Sequence, residues 1–141
     1  MSGLKKLTNP IQKLVRDDVR HPQSVGHLDI QKIFNLTGVQ LPSSEVLIYP
    51  GAIKHIKKRH PGVFEQYGEL IPSIVTSPDY VGENPSEPGS VELYKVVNDH
   101  LLLAVKCDPT GYLFVSSLYT LNNGAYKIQK RLASGRIIPY V

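Results

Sequence analysis

The sequence has little cysteine and no long apolar run, and each shortage excludes a class of protein. A single cysteine, Cys107, can form neither a disulfide framework nor a thiolate metal site, and its apolar neighbours favour a small buried side chain. No apolar run approaches the roughly 18–20 residues of a membrane-spanning helix. Residues 1–10 lack the continuous apolar segment of a signal peptide. We therefore expect a cytoplasmic protein with no membrane partner.

The composition is that of one globular domain with at most a short additional arm: 141 residues, 41% of them hydrophobic and 20% charged. The net charge of +4 is unevenly distributed. Residues 46–70 and 101–141 carry excesses of +2 and +4, whereas residues 71–100 carry −4. If the two basic segments meet in the fold, they form a positive face suited to a polyanion. We interpret the acidic stretch 79–99 as loop and strand edge.

Helical spacing dominates the first part of the chain. Residues 8–19 and 29–38 each place apolar side chains on one helical face, and the second stretch offers Asp29 as an N-cap and Gly38 as a terminator. The intervening "HPQSVGH", residues 21–27, is predicted to be a loop. Residues preceding position 45 therefore form a predicted helical N-terminal extension, 1–44.

The remainder, 45–141, is predicted to be one domain in which helices precede a meander of strands. The predicted helical part comprises a strand at 45–49, a helix that begins at Pro50, and one or two helices within 61–80, which Pro72 breaks or restarts. After a loop at 82–90, strands are predicted at 91–97, 101–107 and 112–120. The last predicted element is a helix at 122–135, with Ala125, Ile128 and Leu132 facing inward. The strand 101–107 is nearly all apolar, as expected for a strand covered on both sides. This order predicts an α+β fold with helices on one face of an antiparallel sheet.

The segment "GAIKHIKKRHPG", residues 51–62, concentrates histidines and cations in one predicted helix. His60 lies four residues after Ile56 and so leans toward the buried side at the helix end, while His55 and Arg59 are neighbours on one stripe. Such a histidine is most often a polar tip at a helix end, but histidine also exchanges protons at neutral pH. The two histidines are about 140° apart around the helix, which is unfavourable for joint metal binding. We expect no metal and no cofactor.

Lysines and arginines accompany the histidines in two helices. Cations on a helix usually face solvent, but here they also suit the binding of a phosphate and the stabilisation of its charge. The candidates for phosphate binding are Lys54, Lys58, Arg59, Lys130 and Arg131.

The stretch "FVSSLYT", residues 114–120, ends an otherwise apolar strand with hydroxyl side chains. Regular alternation places Val115, Ser117 and Tyr119 on one side of this strand. These hydroxyls are either plain surface polarity or donors beside a phosphate. No G-x-S-x-G elbow is present, which argues against a serine hydrolase.

Three features follow one another along the chain: the segment "VLIYPGAIKHIKKRHPG", a helical run to "SPDY", and a meander ending in "LFVSSLYT". Their order resembles that of the phage-associated branch of the barnase, EndoU, colicin E5/D and RelE-like nucleases. The resemblance covers roughly residues 45–125. It implies helices packed on an antiparallel sheet of about four strands. It also implies metal-independent RNA cleavage, in which the ribose 2′-hydroxyl attacks the adjacent phosphate.

The resemblance also implies site residues. His60 matches the family's helix-end histidine and is the first choice for general acid and base, and His55 is the second. Arg59 would contact phosphate. Ser117 and Tyr119 fall where the family places a hydroxyl and an aromatic, to orient phosphate or stack a base, although the family's usual residue is threonine and the register leaves Ser116 as an alternative.

We therefore expect an endoribonuclease, toxin-like or associated with a mobile element, whose partners are RNA, with tRNA as one candidate, and an immunity or antitoxin protein. Two other interpretations stay open. The same fold could bind nucleic acid without cutting it, or it could be a structural domain of a phage particle in which the histidines only cap a helix.

Overall fold

The computed structural model describes residues 21–141, so the helix predicted over 8–19 lies outside the described residues. Within 21–141 the strands are β1 (Gln23–His27), β2 (Glu45–Ile48), β3 (Tyr80–Glu83), β4 (Val91–Val96), β5 (His100–Cys107), β6 (Leu113–Thr120) and β7 (Ile138–Pro139). The helices are α1 (Ile30–Thr37), α2 (Pro50–Arg59), α3 (Val63–Tyr67), α4 (Ile71–Thr76) and α5 (Gly124–Ala133), with a 3-10 turn at Gly68–Leu70. None of the helices in this range has the length and apolarity needed to cross a membrane.

The fold is α+β, as predicted, but the expectation of about four antiparallel strands is wrong. Seven strands of residues 21–141 form one sheet in the order β1-β2-β6-β5-β4-β3-β7. Every pair in it is antiparallel except β2 with β6, which run parallel. The loop predicted at 21–27 is strand β1, and the helical run predicted to residue 80 stops at Thr76 before β3. These strands were missed because they are short and, in β1, only Val25 is buried.

Two apolar layers cover the two faces of the sheet, and β5 shows both. Its side chains alternate: Leu101, Leu103 and Val105 belong to the main core, whereas Leu102 and Ala104 belong to a smaller cluster on the opposite side. The prediction that this strand is covered on both sides is confirmed. We call the side of the main core the core face and the opposite side the second face.

Helices lie on both faces, so the expectation that they share one face is wrong. Buried residues of α1 to α4, among them Ile33, Ile56 and Phe64, join the main core. Helix α5 instead packs on the second face through Ile128, with Leu132 half-buried against the same cluster. Ala125, predicted to face inward, is exposed. Because β6 leads directly into α5, the chain crosses from the sheet to its second face within a short turn.

The helix ends follow the sequence signals closely. The Asp29 side chain accepts a hydrogen bond from the Lys32 amide at 3.1 Å, and Gly38 ends α1 in the left-handed conformation with φ 79°. Pro50 opens α2 and Pro72 lies in the first turn of α4, which confirms both proline assignments. Asn123 is the N-cap residue of α5, but its side chain makes no capping hydrogen bond.

Strand β6 contains a bulge that changes which side chains share a face. Ala104 of β5 pairs with Ser117, but Val105 pairs with Val115, so Ser116 is an extra residue. As a result Val115 and Leu118 both belong to the core face. The prediction that Val115 shares a side with Ser117 and Tyr119 is therefore wrong.

The predicted N-terminal extension contributes part of the same sheet. Within its described part, β1 pairs with β2 and α1 places Ile33 in the main core. The strand and helix of 21–44 thus pack with the rest of the described chain.

Candidate active site on the second sheet face

Helix α2 packs against strand β6. Strand β2 pairs only with the start of β6, through Val46 with Leu113 and Leu47 with Phe114. Helix α2 follows β2 immediately and packs beside the remainder of β6. Its N-terminal end therefore lies near the bulge, and its C-terminal end lies near the end of β6.

The imidazole of His60 and the ring of Tyr119 are stacked. Their ring centroids are 5.0 Å apart and their planes differ by 23°. His60 follows the last turn of α2, where its amide still donates to the carbonyl of Ile56 at 2.8 Å. The burial of Ile53 and Ile56 fixes the rotation of α2 and so the direction in which His60 leaves it. Two residues predicted for the site are thus in direct contact.

The surroundings of His60 favour its neutral form. Burial lowers the pKa of His60 from its usual 6.5, and the positive charges of His55 and Arg59 lower this pKa further. A neutral imidazole is able to accept a proton at pH 7. Burial, and next the Glu92 carboxylate, raise the pKa of Tyr119, which keeps its hydroxyl protonated. The pair is therefore one proton acceptor stacked on a neutral ring.

The other predicted side chains of α2 lie on its outer surface. His55, Lys54, Lys58 and Arg59 are all exposed. Of these, His55 and Arg59 lie close enough to His60 for their charges to act on it. The structure leaves all four accessible to a bound polyanion.

The structure distinguishes Ser116 from Ser117, which the sequence left as alternatives for the strand residue of the site. Ser117 pairs with Ala104 and so points to the second face, the side of Tyr119. Its Oγ is shielded from solvent and has no hydrogen-bond partner within residues 21–141. Ser116 is the bulged residue, and its Oγ donates to the carbonyl of Ala104 at 3.3 Å. The side chain adjoining Tyr119 on the second face is therefore Ser117.

A buried carboxylate lies on the same face and was not predicted as part of the site. Glu92 is 5% exposed, and the interpretation of its segment as loop and strand edge is wrong at this residue. Its Oε1 accepts hydrogen bonds from the Tyr94 hydroxyl and from Arg136 Nη2, each at 3.0 Å. Arg131 Nη1 donates to the Tyr94 hydroxyl at 2.8 Å. One acid, one phenol and two guanidinium groups thus form a continuous network.

The network has two electrostatic consequences. Burial and the adjacent Glu92 carboxylate raise the pKa of Tyr94 to about 12, so the phenol stays protonated and serves as a donor. Arg136 Nε is buried and has no hydrogen-bond partner within the described part of the chain. The Glu92 carboxylate holds the Arg136 guanidinium directly and offsets part of its charge, while the Tyr94 hydroxyl links Glu92 to Arg131.

Strand pairing connects this network to the His60 region. Tyr119 pairs with Leu102, and Leu102 pairs with Tyr94, so one row of side chains crosses from β6 to β4. The neighbouring row runs from Ser117 through Ala104 to Glu92. The two rows place the stacked histidine, the network and the small buried cluster on one face of the sheet.

The signal that could have found Glu92 is the alternation in "VELYKV". Val91 and Leu93 belong to the core face, which turns Glu92 and Tyr94 to the second face in the middle of the sheet. An acid at such a position is buried only if it is paired. Its partner Arg136 follows α5 and offered no signal in the sequence.

Helix α5 brings the remaining predicted cations to the edge of this face. A cavity of about 370 Å³ is lined by Lys127, Lys130, Arg131, Ser134 and Arg136, together with Tyr126. Lys130 is exposed and its Nζ lies 5.9 Å from the centre of the Tyr126 ring. This cavity contains no carboxylate in its lining and suits an anion.

Metal ligands are not clustered in the part of the chain that the structure describes. Residues 21–141 contain no group of three His, Cys, Asp or Glu side chains able to hold a metal ion. The polar groups of the second face are instead arranged as proton acceptor, hydroxyls and fixed cations.

Comparison with known proteins identifies a nuclease family. The model of a family described as phage-Barnase-EndoU-ColicinE5/D-RelE like nuclease3 matches residues 23–128. Searches of curated proteins and of solved structures gave no match. The matched range begins at β1, earlier than the resemblance at 45–125, and includes His60, Glu92 and Tyr119. The range covers most of the chain, and the chain therefore belongs to this family of phage-associated barnase, EndoU, colicin E5/D and RelE-like nucleases.

Proposed function

We propose that this chain is an endoribonuclease that cleaves RNA without a metal ion, through attack of the ribose 2′-hydroxyl on the adjacent phosphate. The 2′-oxygen forms a bond to phosphorus as the bond from phosphorus to the 5′-oxygen breaks. The products are a 2′,3′-cyclic phosphate and a free 5′-hydroxyl. His60 accepts the proton of the 2′-hydroxyl, and His55 supplies a proton to the leaving 5′-oxygen.

The observation that carries this proposal is the stacking of His60 on Tyr119. A histidine that merely ends a helix has no need of an aromatic ring from a distant strand, and an exposed histidine keeps its ordinary pKa. Here the ring fixes the imidazole, and burial and neighbouring charge favour its neutral form. A fixed, neutral imidazole is the state that general-base catalysis requires.

The surrounding cations suit the charge that develops on the phosphate. Lys54, Lys58 and Arg59 are exposed on α2 next to His60. Lys130 and Arg131 lie on α5 at the other margin of the second face. A phosphodiester held between these margins would be stabilised in its pentavalent state.

The biological setting follows from the activity. A free ribonuclease in the cytoplasm would damage the RNA of its own cell, so we propose a toxin-like role and an immunity or antitoxin protein as a partner. Transfer RNA is the first substrate that we would test.

The test is incubation of the purified protein with total tRNA and with a synthetic RNA in excess EDTA. We expect fragments with cyclic phosphate ends from the wild-type protein and intact RNA with His60→Ala. The matched control is His27→Ala: His27 is exposed on the edge strand β1, and its Nδ1 lies 3.0 Å from Ser44 Oγ.

Each alternative result has a definite meaning. RNA that stays intact with wild-type protein but is bound would replace the enzyme by a nucleic-acid-binding module. Cleavage by both variants would remove His60 from the mechanism. Loss of cleavage in both would indicate damage to the fold, which thermal unfolding of the two variants would reveal.

A further inference from the structure

A cavity of about 420 Å³ lies at the other end of α2 from His60. It is lined by aromatic rings from the chain just before α2 and from β6 and the turn before it: Tyr49, Tyr112 and Phe114. The ring centroids of Tyr49 and Tyr112 are 6.2 Å apart, and those of Tyr112 and Phe114 are 6.0 Å apart. A row of three tilted rings at this spacing offers stacking surface. Tyr112 is 39% exposed, so part of this surface is open to solvent.

The polar groups of the cavity suit a heterocycle better than a phosphate. Lys106 contributes an ammonium group, already paired with Glu87 at 3.2 Å. Asp108 contributes a carboxylate, and hydrogen bonds from Thr110 hold the pKa of Asp108 below its usual value, so it is ionised at neutral pH. An ionised carboxylate repels phosphate but accepts hydrogen bonds from ring or amino N–H groups. Three rings and one fixed acceptor therefore favour a nucleobase.

The cavity and the candidate active site lie along the same strand and the same helix. Phe114 pairs with Lys106, which shares the second face with Leu102 and Ala104, so Phe114 and Tyr119 are on one face of β6. Along α2, Ala52 lines the cavity and His60 stacks on Tyr119, about 12 Å apart in helical rise. His55 and Arg59 lie on the helix between or beside these ends. This is the span of a few nucleotides of single strand.

We propose that this cavity is a nucleobase subsite, which stacks one base of a single-stranded RNA whose cleaved phosphate lies at His60. The inference rests on the proposed function, since it places the base relative to the bond that is cut. The chain would then choose its cleavage site by a base a few nucleotides away, in addition to contacts with the phosphates.

The test measures binding with cleavage disabled. A short fluorescein-labelled single-stranded oligoribonucleotide is titrated with His60→Ala protein, and its anisotropy gives the dissociation constant. We expect Tyr112→Leu in this background to weaken binding about tenfold, the loss typical of one stacked base. Phe114→Leu is the second variant. The matched control is Phe34→Leu, since Phe34 is 45% exposed on α1, which packs on the core face.

An oligonucleotide series with one abasic ribose at successive positions identifies the base involved. We expect the effect of Tyr112→Leu to disappear at one position only. The inference is overturned if Tyr112→Leu and Phe114→Leu bind as tightly as Phe34→Leu. It is also overturned if inorganic polyphosphate, which has no bases, loses affinity to the same extent.

The two proposals fail separately. Wild-type protein that binds RNA in this base-dependent way without cutting it contradicts the proposed function and supports the subsite. Wild-type protein that cuts RNA, with Tyr112→Leu showing the same affinity and the same fragments, contradicts the subsite alone.

Discussion

Among single residues, His60 combines a position at the end of a helix with a lowered pKa. It stands where α2 ends, so it is free of the helical ladder except for its amide, and the ring of Tyr119 holds its side chain. Three influences lower its pKa: burial first, then the charge of His55, then that of Arg59. The second influence is open to direct test, because His55 is exposed and its removal leaves the core intact.

His55→Ala is expected to raise the pKa of His60 toward its usual 6.5, because one positive charge that disfavours the imidazolium is gone. Burial and Arg59 remain, so the return is partial. His55 is also the proposed general acid, so the variant is expected to cleave RNA more slowly. If His60 is the general base, the rate falls as the pH falls through the pKa of His60, and the acid limb of the variant's residual pH–rate profile moves to higher pH. A proton NMR titration of the His60 ring measures the pKa directly.

Lys54→Gln is the control for this titration. It removes a positive charge from the same helix, but Lys54 is not among the groups that shift His60. An equal shift in Lys54→Gln, or no shift in His55→Ala, would contradict the assignment of the charge effect to His55.

At the scale of secondary-structure elements, the site depends on two irregularities. One is the short pairing of β2 with β6, after which α2 packs against β6, and the other is the bulge at Ser116. Bulges bend and twist a strand and are common beside active sites. Without the extra residue, alternation would carry Val115 and Leu118 to opposite faces. With it, both stay in the core while Ser117 and Tyr119 face the candidate site.

The turn from β6 into α5 packs closely against β5, and two glycines allow this contact to be tested. A Cβ at Gly124 would lie 2.4 Å from the ring of His100, whereas a Cβ at Gly51, in α2, would meet nothing within 4 Å. Gly124→Ala is therefore expected to destabilise the fold by about 1–3 kcal/mol. Gly51→Ala is expected to stabilise it by up to about 1 kcal/mol through helix propensity.

Urea denaturation of the two variants beside the wild type measures both effects. The same substitution is made in a helix in each case, so the difference isolates the contact with His100. A Gly124→Ala protein as stable as Gly51→Ala would mean that α5 is free to move away from β5, and the close junction would lose its structural role.

For the whole molecule, the distribution of charge matters more than its sum. The acidic segment contributes Glu92 to a buried network, so one of its charges is neutralised inside the fold. The basic residues of α2 and α5 lie at the two margins of the second face. Binding of RNA by such a surface releases counterions and weakens as salt is added.

Lys58→Gln is expected to reduce the slope of log binding constant against log salt by about 0.7, the value for one phosphate contact to a single strand. Lys32→Gln is the control, because Lys32 lies on α1, with its Nζ 4.1 Å from the centre of the Tyr140 ring. Filter binding or anisotropy over a salt series measures the slope. A slope unchanged by Lys58→Gln, or changed equally by Lys32→Gln, would remove Lys58 from the interface.

The sequence predicted the parts of the molecule whose signals are local. Caps at Asp29 and Gly38, the proline at the start of α2 and the long apolar strand β5 each act within a few residues, and all were found. The short strand β1 has one buried residue and owes its structure to pairing with β2, which no local pattern records. The sheet, which has seven strands in residues 21–141, was therefore predicted to have about four.

The residues of the candidate site were likewise predicted only in part. The resemblance singled out His60 and Tyr119 for the site, and the structure brings them into contact. Glu92 was missed because its meaning depends on Arg136, and the two residues meet only across the second face. The bulge was missed too, because no pattern of residue types marks it in the sequence. It nevertheless moves every later side chain of β6 to the opposite face of the sheet.

The contact between His60 and Tyr119 joins a helix to a strand that comes much later in the chain. During synthesis the ribosome makes α2 before β6 and α5, and a domain generally folds as a unit. A nascent chain that ends before β6 carries both histidines but has no ring on which to hold His60, and it lacks α5 with its cations. A chain interrupted there is unable to assemble the candidate site, so the site is complete only after β6 and α5 have been made.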